Sequence, residues 1–250
     1  MRKLIVNADD YGLTPEVSQG IRLATSGIVR STTVLANLVT PSDLAELRES
    51  RLQAGVHLNL SLGLPLAAGY PAHLLDRQRR FSKEAALSNT TWDDAGLQGA
   101  VATEWRAQIE ILVGRGLTLT HLDSHHHVHL FAPLFEVAAA LATEYRLGLR
   151  TDQSNLPIAA ASGVKRPSLL ITDFYGAGKL AKENLLALLA QSERQDSVEL
   201  MCHPGLATDE LRAISGYTDE RESELAVLGD PALALKLDEQ GWMLCGYGDL

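Results

Sequence analysis

Short apolar runs of strand length alternate along this chain with longer stretches of helical period, and that alternation restricts the fold more than any other feature. Residues 4–6 read as a buried strand running into Asp9-Asp10 and Gly12. Thr14-Pro15-Glu16 then supplies an N-cap, a proline at the first helical position and an acid in the first turn, so a helix is expected from there to near Gly27. Residues 31–37 are strand-like, 41–51 helix-like and 54–60 strand-like again. Helical period marks 92–114 and 133–145, with a strand at 117–123 between them. Further strands are expected at 147–150, 169–172, 198–202 and 243–247, and further helices at 179–192 and 231–240. Such a sequence implies parallel βαβ units, either rolled into a barrel or laid out as an open doubly wound sheet. Periodicity alone does not separate the two.

At 250 residues, a single domain over 1–250 is expected, because α/β barrels commonly reach this length as one unit. Apolar residues make up 46% and charged residues 21%, enough to bury a sizeable core. Thirty-one acidic against 22 basic residues leave a formal charge of -9, which repels phosphate backbones and anionic lipid and argues against a nucleic-acid partner. No apolar run approaches the roughly 20 residues that span a bilayer. The N-terminal run breaks at residues 7–10, too early for a signal peptide, so a cytoplasmic chain is expected. Cys202 and Cys245 are too few for a disulfide framework and read as small buried residues in a reducing compartment. A homodimer is the default expectation for a soluble enzyme.

Both architectures carry their sites at the C-terminal ends of strands, where Asp9-Asp10, His57, His125 and His203 all fall. Five of the eight histidines lie within residues 121–129. His125, His127 and His129 share a face if the strand continues, and His121 and His125 share one if the segment is helical. Imidazole and carboxylate groups suit zinc and other divalent ions, and an Asp, His, His set leaves a position open for water. A separate base is then useful, and Asp9 is the natural one if its neighbour's carboxylate sits on the metal. An adjacent acid pair alone is usually a turn or cap, and a lone strand histidine usually a core residue. Their coincidence at three strand ends favours metal-assisted hydrolysis. A phosphoesterase would call for two metals and more cations. A glycosidase needs opposed carboxylates, whereas adjacent acids are expected on opposite sides of a strand. Residues 61–92, with Gly63, Pro65, Gly69, Pro71, Arg77, Arg79 and Arg80, read as a long loop beside a site or, equally, as a plain solvated insertion.

Four segments carry a more specific resemblance: Asn7-Ala8-Asp9-Asp10-Tyr11-Gly12, Gly55-Val56-His57-Leu58-Asn59, residues 120–129, and Met201-Cys202-His203-Pro204-Gly205. Together with Gly241-Trp242 and Gly246-Tyr247 near the end, the chain resembles the YdjC-like carbohydrate deacetylases, which include chitooligosaccharide deacetylases. The resemblance implies a distorted, TIM-barrel-like (β/α) barrel of parallel strands with the site at their C-terminal ends. It implies one divalent ion, magnesium or zinc, on Asp10, His57 and His125, with Asp9 as base and His203 as the acid that protonates the leaving amine. Ligand softness leans toward zinc. The implied substrate is a small N-acetylglucosamine-containing oligosaccharide of the chitooligosaccharide type. Another acetylated sugar or a glycolipid is the alternative, as is a non-catalytic sugar- or metal-binding relative, which would have no need of Asp9 and His203. Arg150 matches an arginine that follows the family's central helix, where it would hold Asp9 ionised or bind sugar hydroxyls, unless it forms a salt bridge with Asp152 or another acid. Asp123 is placed to orient a ligand imidazole, and His127 or His129 to touch substrate, with structural roles equally open. Tyr11 stands where phenylalanine is usual. Trp92, Trp105 and Tyr175 are expected to pack in the core, with sugar stacking as the alternative.

Overall fold

Burying the expected strands calls for helices against the sheet, and the computed structural model, which describes residues 1–88 and 91–250, is built that way. The strands are β1 (Arg2–Tyr11), β2 (Ser31–Val34), β3 (Gln53–Leu58), β4 (Leu119–Ser124), β5 (Gly148–Leu149), β6 (Leu169–Ile171), β7 (Ser197–Cys202) and β8 (Trp242–Cys245). The helices are α1 (Pro15–Leu23), α2 (Pro41–Glu49), α3 (Lys83–Ala86), α4 (Ala95–Gly114), α5 (Ala132–Tyr145), α6 (Leu156–Ser162), α7 (Lys182–Gln191), α8 (Asp209–Ile214), α9 (Asp219–Leu228) and α10 (Pro231–Glu239).

All the strand pairs are parallel, in the order β5-β4-β3-β2-β1-β7-β6, with β8 also on β1. β1 pairs with β7 from Lys3 to Ala8, while β8 takes Arg2 to Ile5 and β2 takes Asn7 to Tyr11. Arg150, immediately after β5, bonds Asp9 on β1 at 2.6 and 2.7 Å and Glu199 on β7 at 2.9 Å. In a flat sheet β5 and β1 would lie four spacings apart, about 19 Å, far beyond the reach of an arginine. The sheet therefore curls around these side chains into a distorted (β/α) barrel, and among the described residues no strand pairing joins β5 to β6.

The local signals act as the sequence suggests. Thr14 Oγ1 accepts from Val17 N at 3.2 Å, Pro15 opens α1, and a 3₁₀ turn, Ala24–Ser26, carries the chain on to Gly27. α4 starts at Ala95 rather than at residue 92, because Asp94 Oδ1 accepts from Gly96 N and Leu97 N and so takes the cap position. Trp92 and Trp105 are fully buried and belong to the core, as do the apolar faces of α1, α4 and α5. Cys202 and Cys245 are buried and unpaired. Among the described residues no helix is long and apolar enough to cross a membrane.

Four of the described helices lie where no period was visible: the single turn α3, within the expected loop, and α6, α8 and α9. α9 is the instructive case. Its buried positions, Arg221, Glu224 and Leu228, have helical spacing, but two of the three are charged, so a search for apolar periodicity passes over it.

Candidate metal centre and active site

The site begins with a break in β1. Pairing with β2 shifts register between Ala8 and Tyr11, and Asp10 takes a left-handed φ of 73° there, a conformation Asp tolerates better than most residues. The bulge cancels the two-residue alternation, so Asp9 and Asp10 both line one cavity of about 380 Å³. That corrects the expectation that they face opposite sides. His57, His125 and His203 line the same cavity, so the five residues singled out by the sequence are brought together.

Asp10 Oδ1 lies 2.8 Å from His125 Nδ1 and 3.2 Å from His57 Nε2. Metal bonds of about 2.0–2.2 Å set neighbouring ligand atoms about 3–3.5 Å apart, so these three groups fit one divalent ion with little adjustment. His57 Nδ1 is 2.7 Å from Asp123 Oδ1 and 3.1 Å from Thr33 Oγ1, whose hydroxyl donates to Asp123 Oδ2 at 3.0 Å. A carboxylate only accepts, so the Nδ1 proton is fixed and Nε2 is left to coordinate. A second grouping, Asp9 with His57 and Asp123, also has ligand spacing. The Arg150 guanidinium already fills it, with Nη1 at 2.6 Å from Asp9 Oδ2 and 2.8 Å from Asp123 Oδ2, so its charge is balanced without an ion.

Arg150 is fully buried and pairs with Asp9, Asp123 and Glu199, not with Asp152. Burial alone would raise the Asp9 pKa, but the Arg150 guanidinium outweighs it and holds the carboxyl well below the usual range. Asp10 is likewise depressed against burial, by His125 and Arg221. Burial disfavours charge on His57, yet Asp123 and Asp10 beside it hold its pKa up to about 10, so an incoming cation displaces a proton.

His203 is governed by burial, which pushes its pKa down to about 4 and leaves the ring neutral at pH 7. Its Nε2 is 4.0 Å from Asp9 Oδ2. Its main-chain N–H donates to Glu224 Oε2, and the Tyr217 hydroxyl donates to Glu224 Oε1. Burial raises Glu224 to about 7. Tyr217 stacks on Tyr175 at 4.2 Å, and both rings stand edge-on to His203.

The histidine run follows neither of the patterns considered for it. β4 stops at Ser124, and residues His125–Leu130 form a 3₁₀ turn kinked by left-handed His126 and His127. Each ring consequently goes its own way. His125 faces Asp10, His126 Nδ1 meets Ser61 Oγ at 2.9 Å, and His127 Nε2 meets Met201 Sδ at 3.2 Å. His129 is tied to Ser124 Oγ and to the Arg150 carbonyl, away from the cavity. His121 lies inside the barrel, 3.0 Å from Asn7 Oδ1 and stacked on Tyr247. Of the three aromatics considered for stacking, only Tyr175 lines the cavity, and it is 42% exposed. The loop over 61–92 does border the site: Ser61, Leu62 and Lys83 share a smaller cavity of about 260 Å³ with His125 and His126.

Arg221 and Glu224, on α9, and Tyr217 before it escaped the sequence reading. Arg221 Nη2 donates to Asp10 Oδ2 at 2.6 Å. The available signal was the i, i+3 spacing of an arginine and a glutamate in an acidic segment, which also fits a solvated surface helix.

The profile of the YdjC-like protein family matches residues 3–239. A carbohydrate deacetylase of Vibrio parahaemolyticus serotype O3:K6 is 36% identical over 253 residues, covering 99% of this chain and 96% of that one. A chitooligosaccharide deacetylase of Klebsiella pneumoniae strain 342 is 33% identical over 268 residues, with 100% and 99% covered. Among solved structures, a candidate cellobiose-phosphate cleavage protein of Enterococcus faecalis V583 superposes with a TM-score of 0.87 at 30% identity, over 99% of this chain and 98% of that one. A family 4 carbohydrate esterase of Streptomyces lividans, at TM-score 0.50 and 13% identity over 98% and 91%, shares the fold.

Proposed function

The chain belongs to the YdjC-like family, and from that premise we propose that it removes acetyl groups from an N-acetylated sugar using one divalent ion on Asp10, His57 and His125. It is a carbohydrate deacetylase, a hydrolase of amide bonds. The observation that carries the metal-dependent reading is the single carboxylate oxygen, Asp10 Oδ1, that meets both imidazoles in the cavity holding Asp9 and His203.

A bound zinc or magnesium ion would polarise the acyl carbonyl and lower the pKa of a nearby water. Asp9, kept ionised by Arg150, takes the proton of the attacking water. His203 starts neutral, so the proton it hands to the leaving amine is one gathered during the reaction, and Asp9 at 4.0 Å is the adjacent source. An amine leaves poorly until protonated, which gives the histidine its purpose. A cavity of about 380 Å³ suits a small oligosaccharide end. We read the substrate as an N-acetylglucosamine unit of the chitooligosaccharide type, and the whole chain as one catalytic unit, since β8 from its end pairs with β1 from its start.

Binding without turnover has no use for the Asp9 and His203 pair. Glycosidase chemistry is disfavoured because Asp9 is clamped by Arg150 and Asp10 by Arg221, which leaves neither as a carboxylic acid of raised pKa. The test is acetate release from diacetylchitobiose by metal-stripped protein resupplied with zinc or magnesium, beside Asp9→Asn and His203→Ala. The reading expects metal-dependent release that collapses in both variants. Release unaffected by chelation would refute it, and release only from other acetylated sugars or glycolipids would move the substrate class.

A further inference from the structure

Two arginines are buried at this site, and they are used differently. Arg150 spends every arm on a carboxylate: Nε on Glu199, Nη1 on Asp9 and Asp123, and Nη2 on Asp9 and Glu199. Arg221 is 2% exposed, yet it spends only two arms. Its Nε donates to the Tyr217 carbonyl at 2.9 Å and its Nη2 to Asp10 Oδ2 at 2.6 Å, while Nη1 is buried and has no partner among the described residues. Arg221 also lines the cavity. A buried donor left unpaired is costly, and a guanidinium arm more so than a neutral one. Such an arm is retained where a ligand completes it.

We propose that Arg221 Nη1 is a substrate-binding donor that takes the oxygen of the acyl group, either the amide carbonyl before cleavage or a carboxylate oxygen afterwards. The inference rests on the deacetylase reading of the cavity and extends it to a residue the motifs do not contain. The location decides which substrate oxygen is meant. One oxygen of Asp10 faces His57 and His125 and the other accepts from Arg221 Nη2, so the guanidinium that carries the free arm and the ligand triangle meet on the two sides of one carboxylate. The acyl group is the part of the substrate that must reach that triangle, and its oxygen carries the charge that grows as the amide is attacked. The fork of a guanidinium, with one prong anchored on Asp10, presents the other in a fixed direction. The anchor itself is held by helix α9 and by the Gly205 N–H, which donates to the Arg221 carbonyl at 3.2 Å. Lysine at this position could pair with Asp10 but would have no second prong.

The test uses acetate itself as the probe, titrated into zinc-loaded protein by calorimetry, for wild type, Arg221→Lys and Arg221→Gln. Zinc affinity and melting temperature are measured on the same samples. Losing one charge-assisted hydrogen bond should weaken acetate about tenfold or more in both variants, with zinc affinity and folding retained. Acetate affinity unchanged in either folded, zinc-loaded variant would overturn the proposal. So would loss of zinc from both, which would make Arg221 a holder of Asp10 and nothing more. Failure of the deacetylase reading looks different: the wild type would release no acetate from any N-acetylated sugar while still binding acetate through Arg221.

Discussion

Asp9, Asp10, His57 and Asp123 stand on strands β1, β3 and β4, whereas His203, Tyr217, Arg221 and Glu224 come from the stretch between β7 and the middle of α9, and the two halves are secured in different ways. In the strand-borne half each side chain has at least two side-chain partners, and Arg150 ties three carboxylates from three strands into one knot. In the other half Glu224 braces the His203 main chain and the Tyr217 hydroxyl, and the direct side-chain tie to the ligand set is the Arg221–Asp10 pair. The Asp10, His57 and Asp123 geometry is thus built into the barrel itself, while His203 and the aromatic wall are carried on a clasp that can be altered at less cost to the fold.

The largest effect should come from cutting the knot. Arg150→Met would strand Asp9, Asp123 and Glu199 as buried carboxylates without their cation, and should cost about 3–5 kcal/mol in urea denaturation. A loss below about 1 kcal/mol would mean the strand half is not over-determined. Next, Asp123→Asn takes the negative charge off the acceptor that sets His57, and should weaken zinc about 10–100-fold by calorimetry with stability less affected. Unchanged affinity would show that the barrel alone positions the ring.

Glu224→Gln probes the clasp. One of its two hydrogen bonds is kept and one lost, so a cost of about 1–2 kcal/mol is expected. Glu224 also sets a pH trend. Its folded pKa, about 7, lies above the ordinary glutamate value of 4.5, so between these values the unfolded chain gives up the proton first. Its contribution to stability is fully present below pH 4.5 and falls as pH rises through 7, and the difference between wild type and Glu224→Gln should follow that slope. A pH-independent difference would remove Glu224 as a titrating brace. The smallest effect serves as the baseline: Arg106, paired with Glu144 at 2.6 Å in the open, should cost under about 0.5 kcal/mol as Arg106→Ala.

The same contrast explains what the sequence made legible. The strands could be located because their apolar residues are contiguous, and His57 and Asp123 follow from being on them. Their ends were less visible: β2 stops at Val34 and β5 keeps two residues, because pairing partners rather than composition decide where a strand terminates. The bulge at Asp10 and the left-handed pair His126–His127 carry no apolar signature, so neither the shared cavity of Asp9 and Asp10 nor the divergence of the histidines could be read from spacing. The clasp was missed for the converse reason. Its buried face is an arginine and a glutamate, whose burial makes sense only once Asp10 and the His203 main chain are seen beside them.

If Asp10, His57 and His125 hold one divalent ion, metal content per chain depends on those three residues. Protein reloaded with zinc and passed through a desalting column should carry one ion per chain by elemental analysis, and His125→Ala and Asp10→Asn should carry close to none. Two ions per wild-type chain, or one ion undiminished in both variants, would place the metal elsewhere than on Asp10, His57 and His125 alone.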